Sequence, residues 1–175
     1  MTIRYKKEGS IVEEQADVLV NTVNCVGVMG KGVAKEFKRK FNKNFEEYEA
    51  ACKKKEVKPG EMFLYKVCDK GNGMSDMFSL PKYIVNFPTK QHWRAKSRME
   101  YIEDGLKDLV KKIQRRKSYI QSIAIPPLGC GAGGLDWSIV RPLIERAFED
   151  MNNLEIIIFE PKELSDETDY LNDNM

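Results

Sequence analysis

Two glycine-rich stretches of this chain have the residue types and spacing of anion-binding loops. The first spans residues 24–33, where three glycines precede a helical pattern that begins at Val33. The second spans residues 126–135, and Asp136 or Ser138 can cap the helix that follows it. Glycine lets a ligand approach the backbone closely, and the N–H groups at a helix start attract negative charge. Two such loops could hold the two phosphates of a diphosphate.

Lys90 is the candidate for covalent or electrostatic chemistry. It lies in a polar, basic and aromatic stretch, residues 89–98, that has no helical periodicity. A lysine amine becomes a nucleophile when burial and neighbouring positive charge lower its pKa, and Arg94 and Lys96 could supply that charge. A lysine that stays cationic could instead stabilise developing negative charge. From the sequence alone, a solvated surface lysine is the favoured interpretation.

Three further side chains in the glycine loops each allow two interpretations, one functional and one structural. Asn24 can hydrogen-bond a hydroxyl group or orient a water molecule, and it can equally form an Asx-turn that ends a strand. Cys25 and Cys130 could be catalytic thiols. Because the chain offers no evident histidine partner for them, cysteines that fill small buried spaces are favoured.

His92, Trp93 and Arg94 are adjacent and combine aromatic faces with positive charge. Such a cluster suits single-stranded nucleic acid, since bases stack on aromatic rings and phosphates pair with cations. An equally weighted alternative places Trp93 in the core and pairs Arg94 with a surface acid. For His92, a structural hydrogen bond is favoured over acid–base catalysis.

Strands alternate with helices along the chain, which predicts an α/β sandwich with a largely parallel sheet. Helices are expected from residue 33, over 45–54, after Ser97, and over 137–151, and Ser97 is expected to cap the third with Glu100 at the capping-box spacing. The expected strands are short and cover residues 3–7, 17–20, 62–67, 83–87, 122–125 and 154–159. The first of them alternates only weakly between apolar and polar residues and is expected at the edge of the sheet. Residues 69–76 are expected to form a loop.

The composition is that of a globular domain without a membrane span. The 175 residues contain no apolar run near the roughly 20 residues that cross a bilayer, and the N-terminus lacks the apolar region of a signal peptide. Four scattered cysteines and one histidine predict reduced thiols in the cytoplasm and exclude a disulfide framework or a histidine-rich metal site.

Charge is distributed unevenly along the chain. Residues 1–159 contain 28 basic and 21 acidic side chains, a net charge of +7 within a total of +2. A moderately basic body suits an anionic ligand or nucleic acid. Residues 162–175 are expected to be a disordered acidic tail that follows a single domain over residues 1–161.

Four motifs resemble the macrodomain family, the ADP-ribose-binding module, over roughly residues 9–161. They are Asn21-Thr-Val-Asn24 with Gly-Val-Met-Gly-Lys-Gly after it, Asn86-Phe-Pro-Thr-Lys-x-His-Trp-Arg94, Pro127-Leu-Gly-Cys-Gly131, and Gly134-Leu-Asp-Trp137. The resemblance implies a three-layer α/β/α macrodomain with a mixed, mostly parallel six-stranded sheet.

The same motifs are most similar to DarG-type macrodomains, a branch related to the terminal ADP-ribose protein glycohydrolase. That likeness implies an ADP-ribosyl glycohydrolase that removes ADP-ribose from thymidine in single-stranded DNA. It further implies ADP-ribose as ligand and product, a DarT-type DNA ADP-ribosyltransferase as the toxin it opposes, and no metal or other cofactor. We expect a monomer without membrane contact.

The resemblance also assigns roles to individual positions. Lys90 matches the catalytic lysine, which would attack the anomeric carbon or form a Schiff base with the opened ribose, and Asn24 matches the residue that holds the distal ribose. The expected ADP-ribose contacts are Ser10, Ile11, Asn21 (a more structural position), Gly30, Lys31, Gly32 and Val33 in the first loop, Pro127, Gly129, Cys130, Gly131, Ala132 and Gly133 in the second, and Phe159 beside the adenine or its ribose. His92, Trp93 and Arg94 are expected to contact nucleic acid.

Two positions depart from the family pattern. Most macrodomains have an aspartate that fixes the adenine amino group where this chain has Ser10, and a serine cannot form the same charge-assisted bond. The human glycohydrolase pairs its lysine with an aspartate in the second loop, where this chain has Gly133. Asp136 is near in sequence and is a candidate replacement.

Three alternative functions remain open at this point. A related enzyme would remove ADP-ribose from protein carboxylates or process ADP-ribose-1″-phosphate or O-acetyl-ADP-ribose. A non-catalytic ADP-ribose-binding module would bind tightly without turnover. A nucleic-acid-binding module would act through its basic face, with a steep salt dependence and no need for Asn24.

Overall fold

The computed structural model describes residues 1–67 and 80–162. Strands β1 to β6 and helices α1 to α4 are, in chain order, β1 Thr2–Lys6, β2 Val18–Val23, α1 Gly32–Lys40, α2 Asn42–Lys53, β3 Phe63–Lys66, β4 Tyr83–Pro88, α3 Met99–Gln114, β5 Ser122–Ile125, α4 Trp137–Ala147 and β6 Glu155–Phe159. A short 3-10 helix, Ile11–Glu13, follows β1. The predicted loop over 69–76, Cys68 and the acidic tail beyond residue 162 lie outside the described residues.

The strands form one sheet in the order β1-β6-β5-β2-β4-β3. All neighbouring pairs are parallel except β3, which runs antiparallel to β4. This confirms the predicted mixed, mostly parallel sheet, and β1 is an edge strand as expected. Strands β5, β2 and β4 are neighbours at the centre, so the segments that follow them leave the sheet side by side.

Helices cover both faces of the sheet and make it the middle of three layers. Because successive strand residues point to opposite faces, Val18 and Val20 pack with α3 and α4, whereas Leu19 between them packs under α1. The same alternation holds in β5 and β6. Strands buried on both faces explain why their sequences are continuously apolar.

Several predicted boundaries differ from the structure: β2 extends to Val23 beyond the predicted residue 20, α2 begins at Asn42 rather than residue 45, and α4 ends at Ala147 rather than residue 151. Two further differences have identifiable reasons. Ser97 is not the cap of α3, because it lies one position before the N-cap residue, Arg98, and packs against the second glycine loop. Arg98 itself makes no side-chain capping bond. Strand β4 is expected to end before Pro88, but Pro88 is its last residue and pairs with Val23. A proline at a strand end loses little, since the following N–H of Thr89 donates to the Val23 carbonyl at 3.0 Å.

Candidate ligand-binding cleft

A cleft of about 680 Å³ opens at the carboxyl ends of β2, β4 and β5. Ligands of open α/β sheets bind at this edge, outside the strand ends. The cleft wall contains most of the predicted site residues, namely Asn24, Gly30, Lys31, Gly32, Val33, Lys90, Trp93, Arg94, Pro127, Gly129, Gly131, Ala132 and Gly133. It also contains Thr22, Val28, Thr89 and Ser97, to which we assigned no ligand contact from the sequence.

Backbone hydrogen bonds join the three segments that form the wall. The N–H of Cys25, after β2, donates to the carbonyl of Gln91, after β4, at 3.0 Å. The N–H of Ser97, further along the β4 segment, donates to the carbonyl of Gly133 in the second glycine loop at 3.1 Å. The segment between β4 and α3 therefore links the two glycine loops, and Lys90 lies near its start, directly before Gln91.

Asn24 is an Asx-turn residue in this structure. Its Oδ1 accepts hydrogen bonds from the N–H of Val26 at 3.0 Å and from the hydroxyl of Tyr48 at 2.9 Å, and its Nδ2 donates to the Val28 carbonyl at 2.8 Å. These bonds fold the start of the first glycine loop. Contact between Asn24 and a ribose stays a prediction, whereas the structural role of its amide is evident.

The end of the first glycine loop is open toward the cleft. Lys31 is the N-cap residue of α1 and makes no side-chain capping bond, so no side chain at this position covers the first N–H groups of the helix. Gly32 has a φ of +58°, which a residue with a side chain adopts with strain. A Cβ built on Gly30 would meet only Val28 Cγ1, at 3.7 Å. This geometry suits an anion at the helix start.

Two glycines of the second loop are packed tightly against neighbouring side chains. A Cβ on Gly129, whose φ is +72°, would lie 2.7 Å from Leu135 Cδ1, and a Cβ on Gly133 would lie 2.2 Å from Ser97 Oγ. A Cβ on Gly131 would meet nothing within 4 Å. Gly129 and Gly133 are therefore required by packing, and Gly131 faces open space where a ligand can approach.

Lys90 is half-buried in the wall, and its ammonium donates a hydrogen bond to the Trp93 carbonyl at 3.3 Å. Burial lowers the pKa of Lys90 below that of a free lysine, and the positive charge of Lys96 lowers the pKa further. The sequence predicts both causes, whereas Arg94, the other residue predicted to supply positive charge, is not among the causes of the lowered pKa. A lysine of this kind reaches the neutral form more readily than a solvated surface lysine.

His92, Trp93 and Arg94 form an exposed stack at the rim of the cleft. The rings of His92 and Trp93 stack at 5.2 Å with an interplanar angle of 28°, and the Arg94 guanidinium lies 4.5 Å from the Trp93 ring centroid. Trp93 is 45% exposed, so the alternative that places it in the core is wrong. Within residues 1–67 and 80–162, Arg94 has no ion pair with an acid.

The two loop cysteines have the properties of space-filling thiols. Burial raises the pKa of Cys25 to about 11, and burial together with the charge of Asp136 raises that of Cys130 to about 11. Their thiols donate to the carbonyls of Lys90 at 3.7 Å and Leu128 at 3.4 Å. Thiols that stay protonated at neutral pH are poor nucleophiles, which argues against cysteine catalysis.

Several predicted contacts lie outside the cleft wall. Ile11 and Phe159 are buried in one apolar cluster. Val33, which is part of the cleft wall, packs against the same cluster. Ser10 donates its hydroxyl to Glu36 on α1 at 2.9 Å. Asn21 is fully buried in β2 and donates to Asn86 Oδ1 at 3.2 Å, which fits its predicted structural position. Their contact with a ligand stays a prediction.

Asp136 does not take the place of the aspartate that the second loop lacks. It is the N-cap residue of α4, where its carboxylate accepts hydrogen bonds from the N–H of Ser138 at 2.8 Å and from the Ser138 hydroxyl at 2.7 Å. These bonds lower the pKa of Asp136. The predicted cap is confirmed, and its carboxylate lies outside the cleft wall.

The described residues contain no group of three histidine, cysteine or acidic side chains that could hold a metal ion. None of the helices in the part of the chain described here is long and apolar enough to cross a membrane.

The fold and the cleft together define a class of protein: three-layer α/β/α domains whose ligand cleft lies between two glycine loops at the ends of parallel strands. Residues 20–144 match the family model described as Macro domain, and the chain belongs to this family.

Relatives and solved structures give a narrower comparison. A DNA ADP-ribosyl glycohydrolase of Thermus aquaticus is 49% identical over 155 residues, which are 89% of this chain and 40% of that protein. The macrodomain of Mycobacterium tuberculosis DarG superposes with a TM-score of 0.84 at 43% identity and covers 92% of this chain and 99% of its own. Thermosipho africanus DarTG in complex with ADP-ribose superposes with a TM-score of 0.76 at 36% identity, over 91% of this chain and 42% of that one. The chain thus spans about two fifths of the length of the glycohydrolases it matches.

Proposed function

We propose that this chain is a DNA ADP-ribosyl glycohydrolase that removes ADP-ribose from thymidine in single-stranded DNA. The observation that carries the proposal is the position of Lys90. Its amine has a lowered pKa, lies in the wall of the cleft that both glycine loops also line, and donates to the carbonyl of the exposed Trp93. Relatives named DNA ADP-ribosyl glycohydrolases, at 47–49% identity, support this reaction.

The two glycine loops hold the diphosphate in this proposal. The first offers the uncovered N–H groups at the start of α1, where the helix dipole favours negative charge. The second offers the open backbone at Gly131. A solved relative described as a complex with ADP-ribose supports this ligand. The distal ribose then extends toward Lys90, which lines the same cleft.

Hydrolysis breaks the bond between the anomeric carbon of that ribose and the base nitrogen. Water supplies the hydroxyl group on the anomeric carbon, and a proton completes the base. Lys90 acts in one of two ways. As a neutral amine it bonds to the anomeric carbon while the bond to the base breaks, and water then displaces the amine. As a cation it stabilises the negative charge that develops on the leaving base. A raised pKa keeps the Cys25 and Cys130 thiols in their unreactive protonated form, whereas a lowered pKa brings Lys90 closer to its reactive neutral amine.

The exposed stack of His92, Trp93 and Arg94 binds the nucleotides beside the modified thymidine. Bases stack on the Trp93 ring, and the Arg94 guanidinium pairs with a phosphate. The partner that creates the substrate is a DarT-type DNA ADP-ribosyltransferase, a proposal supported by the DarTG relative. Such a substrate places the protein in the cytoplasm with bacterial DNA.

The test uses a single-stranded oligonucleotide that carries ADP-ribose on one thymidine. Wild-type protein should return the oligonucleotide to its unmodified size and release ADP-ribose. Lys90→Ala should bind free ADP-ribose with unchanged affinity. It should remove ADP-ribose from the oligonucleotide at least 100-fold more slowly than wild-type protein. Lys90→Arg keeps the charge without a nucleophilic amine and separates the two roles of Lys90. Lys58→Ala is the matched control, because Lys58 is exposed and lies outside the cleft wall.

Each outcome has a definite meaning. Full activity of Lys90→Ala would overturn the mechanism. ADP-ribose binding without release by wild-type protein would make the chain a binding module. Release from a modified protein carboxylate but not from DNA would move the proposal to the other enzyme class.

A further inference from the structure

The hydroxyl group of Ser97 is an unpaired polar group buried in the cleft wall. Ser97 is 6% exposed, and less than 1 Å² of its Oγ surface is accessible. Within residues 1–67 and 80–162, this oxygen has no hydrogen-bond partner. Buried hydroxyl groups are almost always paired, because an unpaired one loses its bonds to water without compensation. The exception therefore requires a physical reason.

The unpaired hydroxyl points at the inner side of the second glycine loop. The N–H of Ser97 donates to the Gly133 carbonyl at 3.1 Å, which holds the two segments together. A Cβ on Gly133 would lie 2.2 Å from Ser97 Oγ, and a Cβ on Gly129 would lie 3.1 Å from Ser97 Cβ. Ser97 thus occupies the space that a side chain at residue 133 would fill.

A structural role does not account for this hydroxyl. Helix capping is ruled out by geometry, since Arg98 is the N-cap residue of α3. The other buried unpaired side-chain atom of the described residues, Asn21 Oδ1, lies in β2 and outside the cleft wall. Ser97 therefore combines an unpaired donor with a position beside a loop that faces the cleft.

We propose that Ser97 is a ligand-binding residue whose hydroxyl donates a hydrogen bond to a phosphate oxygen held by the second glycine loop. The inference rests on the proposed diphosphate ligand. Because the oxygen is covered in this structure, a local shift of the loop at Gly133 has to admit the phosphate oxygen to the hydroxyl. The hydroxyl then gains an acceptor that residues 1–67 and 80–162 do not provide. A hydrogen bond to a charged oxygen is stronger than one between neutral groups.

The test compares Ser97→Ala with a serine whose hydroxyl is already paired. Ser122 accepts a hydrogen bond from the N–H of Asp17 at 2.9 Å, at the start of β5 and away from the cleft. ADP-ribose affinity is measured by calorimetry, and thermal stability is measured without ligand. Ser97→Ala should bind ADP-ribose about tenfold more weakly with an unchanged or higher melting temperature, since it removes an unsatisfied group. Ser122→Ala should show the opposite pattern: unchanged affinity and a lower melting temperature.

The result separates this inference from the proposed function. If wild-type protein binds ADP-ribose and Ser97→Ala binds it within twofold, only the role of Ser97 is overturned. A lower melting temperature of Ser97→Ala with unchanged affinity would assign the hydroxyl to folding and also overturn the inference. If wild-type protein does not bind ADP-ribose, the proposed function fails, and inorganic diphosphate becomes the probe. Failure of wild-type protein to bind diphosphate, or equal binding by both proteins, would then overturn the role of Ser97.

Discussion

The two glycine loops look alike in sequence and differ in what lies behind them. The first loop is open: a Cβ on Gly30 would meet only Val28, at 3.7 Å, and no side chain at the N-cap position covers the start of α1. The second loop is packed, with Gly129 and Gly133 pressed against Leu135 and Ser97. Glycine therefore serves ligand access in the first loop and close internal packing at two positions of the second. A glycine motif alone does not distinguish these causes.

Substitution of Gly133 should have the largest effect. The new Cβ of Gly133→Ala would lie 2.2 Å from Ser97 Oγ and 2.6 Å from the Gly129 carbonyl oxygen, so the loop must shift. Overpacking of this kind costs about 1–3 kcal/mol, which lowers the melting temperature by about 5 °C in a domain of this size. ADP-ribose binding should fall by more than 100-fold, because the second loop loses its shape. Thermal denaturation and calorimetry measure both effects.

Two other glycines are matched controls for this comparison. Gly131→Ala and Gly30→Ala introduce the same methyl group into open space in the second and the first loop. Their melting temperatures should stay within about 1 °C of wild type, while both lose ADP-ribose affinity because the methyl group faces the ligand. Equal melting temperatures for Gly133→Ala and Gly131→Ala would contradict the division between packed and open glycines.

The sequence predicts the fold and most of the cleft wall because those signals are local. Continuous apolar runs predict strands buried on both faces, and glycine loops before helix starts mark the sheet edge where ligands bind. The contacts that set each side chain's task come from distant segments. Tyr48 on α2 bonds to Asn24, and Glu36 on α1 bonds to Ser10. No spacing in the sequence indicates either pair.

Ser97 shows how a local rule can give the wrong role. A serine three residues before Glu100 fits the capping box, and the rule considers only the helix that follows. In the structure the backbone N–H of Ser97 is bonded to Gly133, and its side chain lies against that glycine rather than at the helix end. Thr89 could have been included among the cleft residues, since it follows the end of β4 directly.

Trp93 lies on the segment that joins the two loops and should have an intermediate effect. Trp93→Ala removes the stacking surface from Arg94 and His92 but leaves both glycine loops intact. We expect about tenfold weaker binding of the ADP-ribosylated oligonucleotide, since stacking on one aromatic ring contributes about 1–3 kcal/mol per base. Affinity for free ADP-ribose should change less than twofold. Fluorescence anisotropy with the oligonucleotide and calorimetry with ADP-ribose give the two numbers.

Tyr119→Ala is the control for Trp93, because Tyr119 is 68% exposed and lies outside the cleft wall. It should leave oligonucleotide binding unchanged. If Trp93→Ala weakens the binding of free ADP-ribose and of the oligonucleotide to the same extent, the stack belongs to the ADP-ribose site and is not a separate contact with DNA.

The smallest expected effect concerns pH and tests whether the packed second loop influences the chemistry at Lys90. A Cβ on Gly134 would lie 3.6 Å from Lys96 Cδ, so the Lys96 side chain rests on this loop. Its charge contributes to the lowered pKa of Lys90, whose backbone carbonyl is bonded to Cys25 of the first loop. Lys96→Met removes the charge and should raise the pKa of Lys90, although burial continues to hold it below the usual range.

The direction of the pH dependence then distinguishes the two mechanisms. If the neutral amine reacts, the rate of ADP-ribose release rises with pH through the pKa of Lys90. Lys96→Met then moves this rise in the pH–rate profile to higher pH and slows release at pH values below the pKa of Lys90. If the cation acts, the rate falls with pH through the same pKa, and Lys96→Met extends activity to higher pH. Lys58→Met, which removes an exposed charge outside the cleft wall, should leave the profile unchanged. Identical profiles for Lys96→Met and wild-type protein would show that the second loop holds the ligand without tuning the lysine.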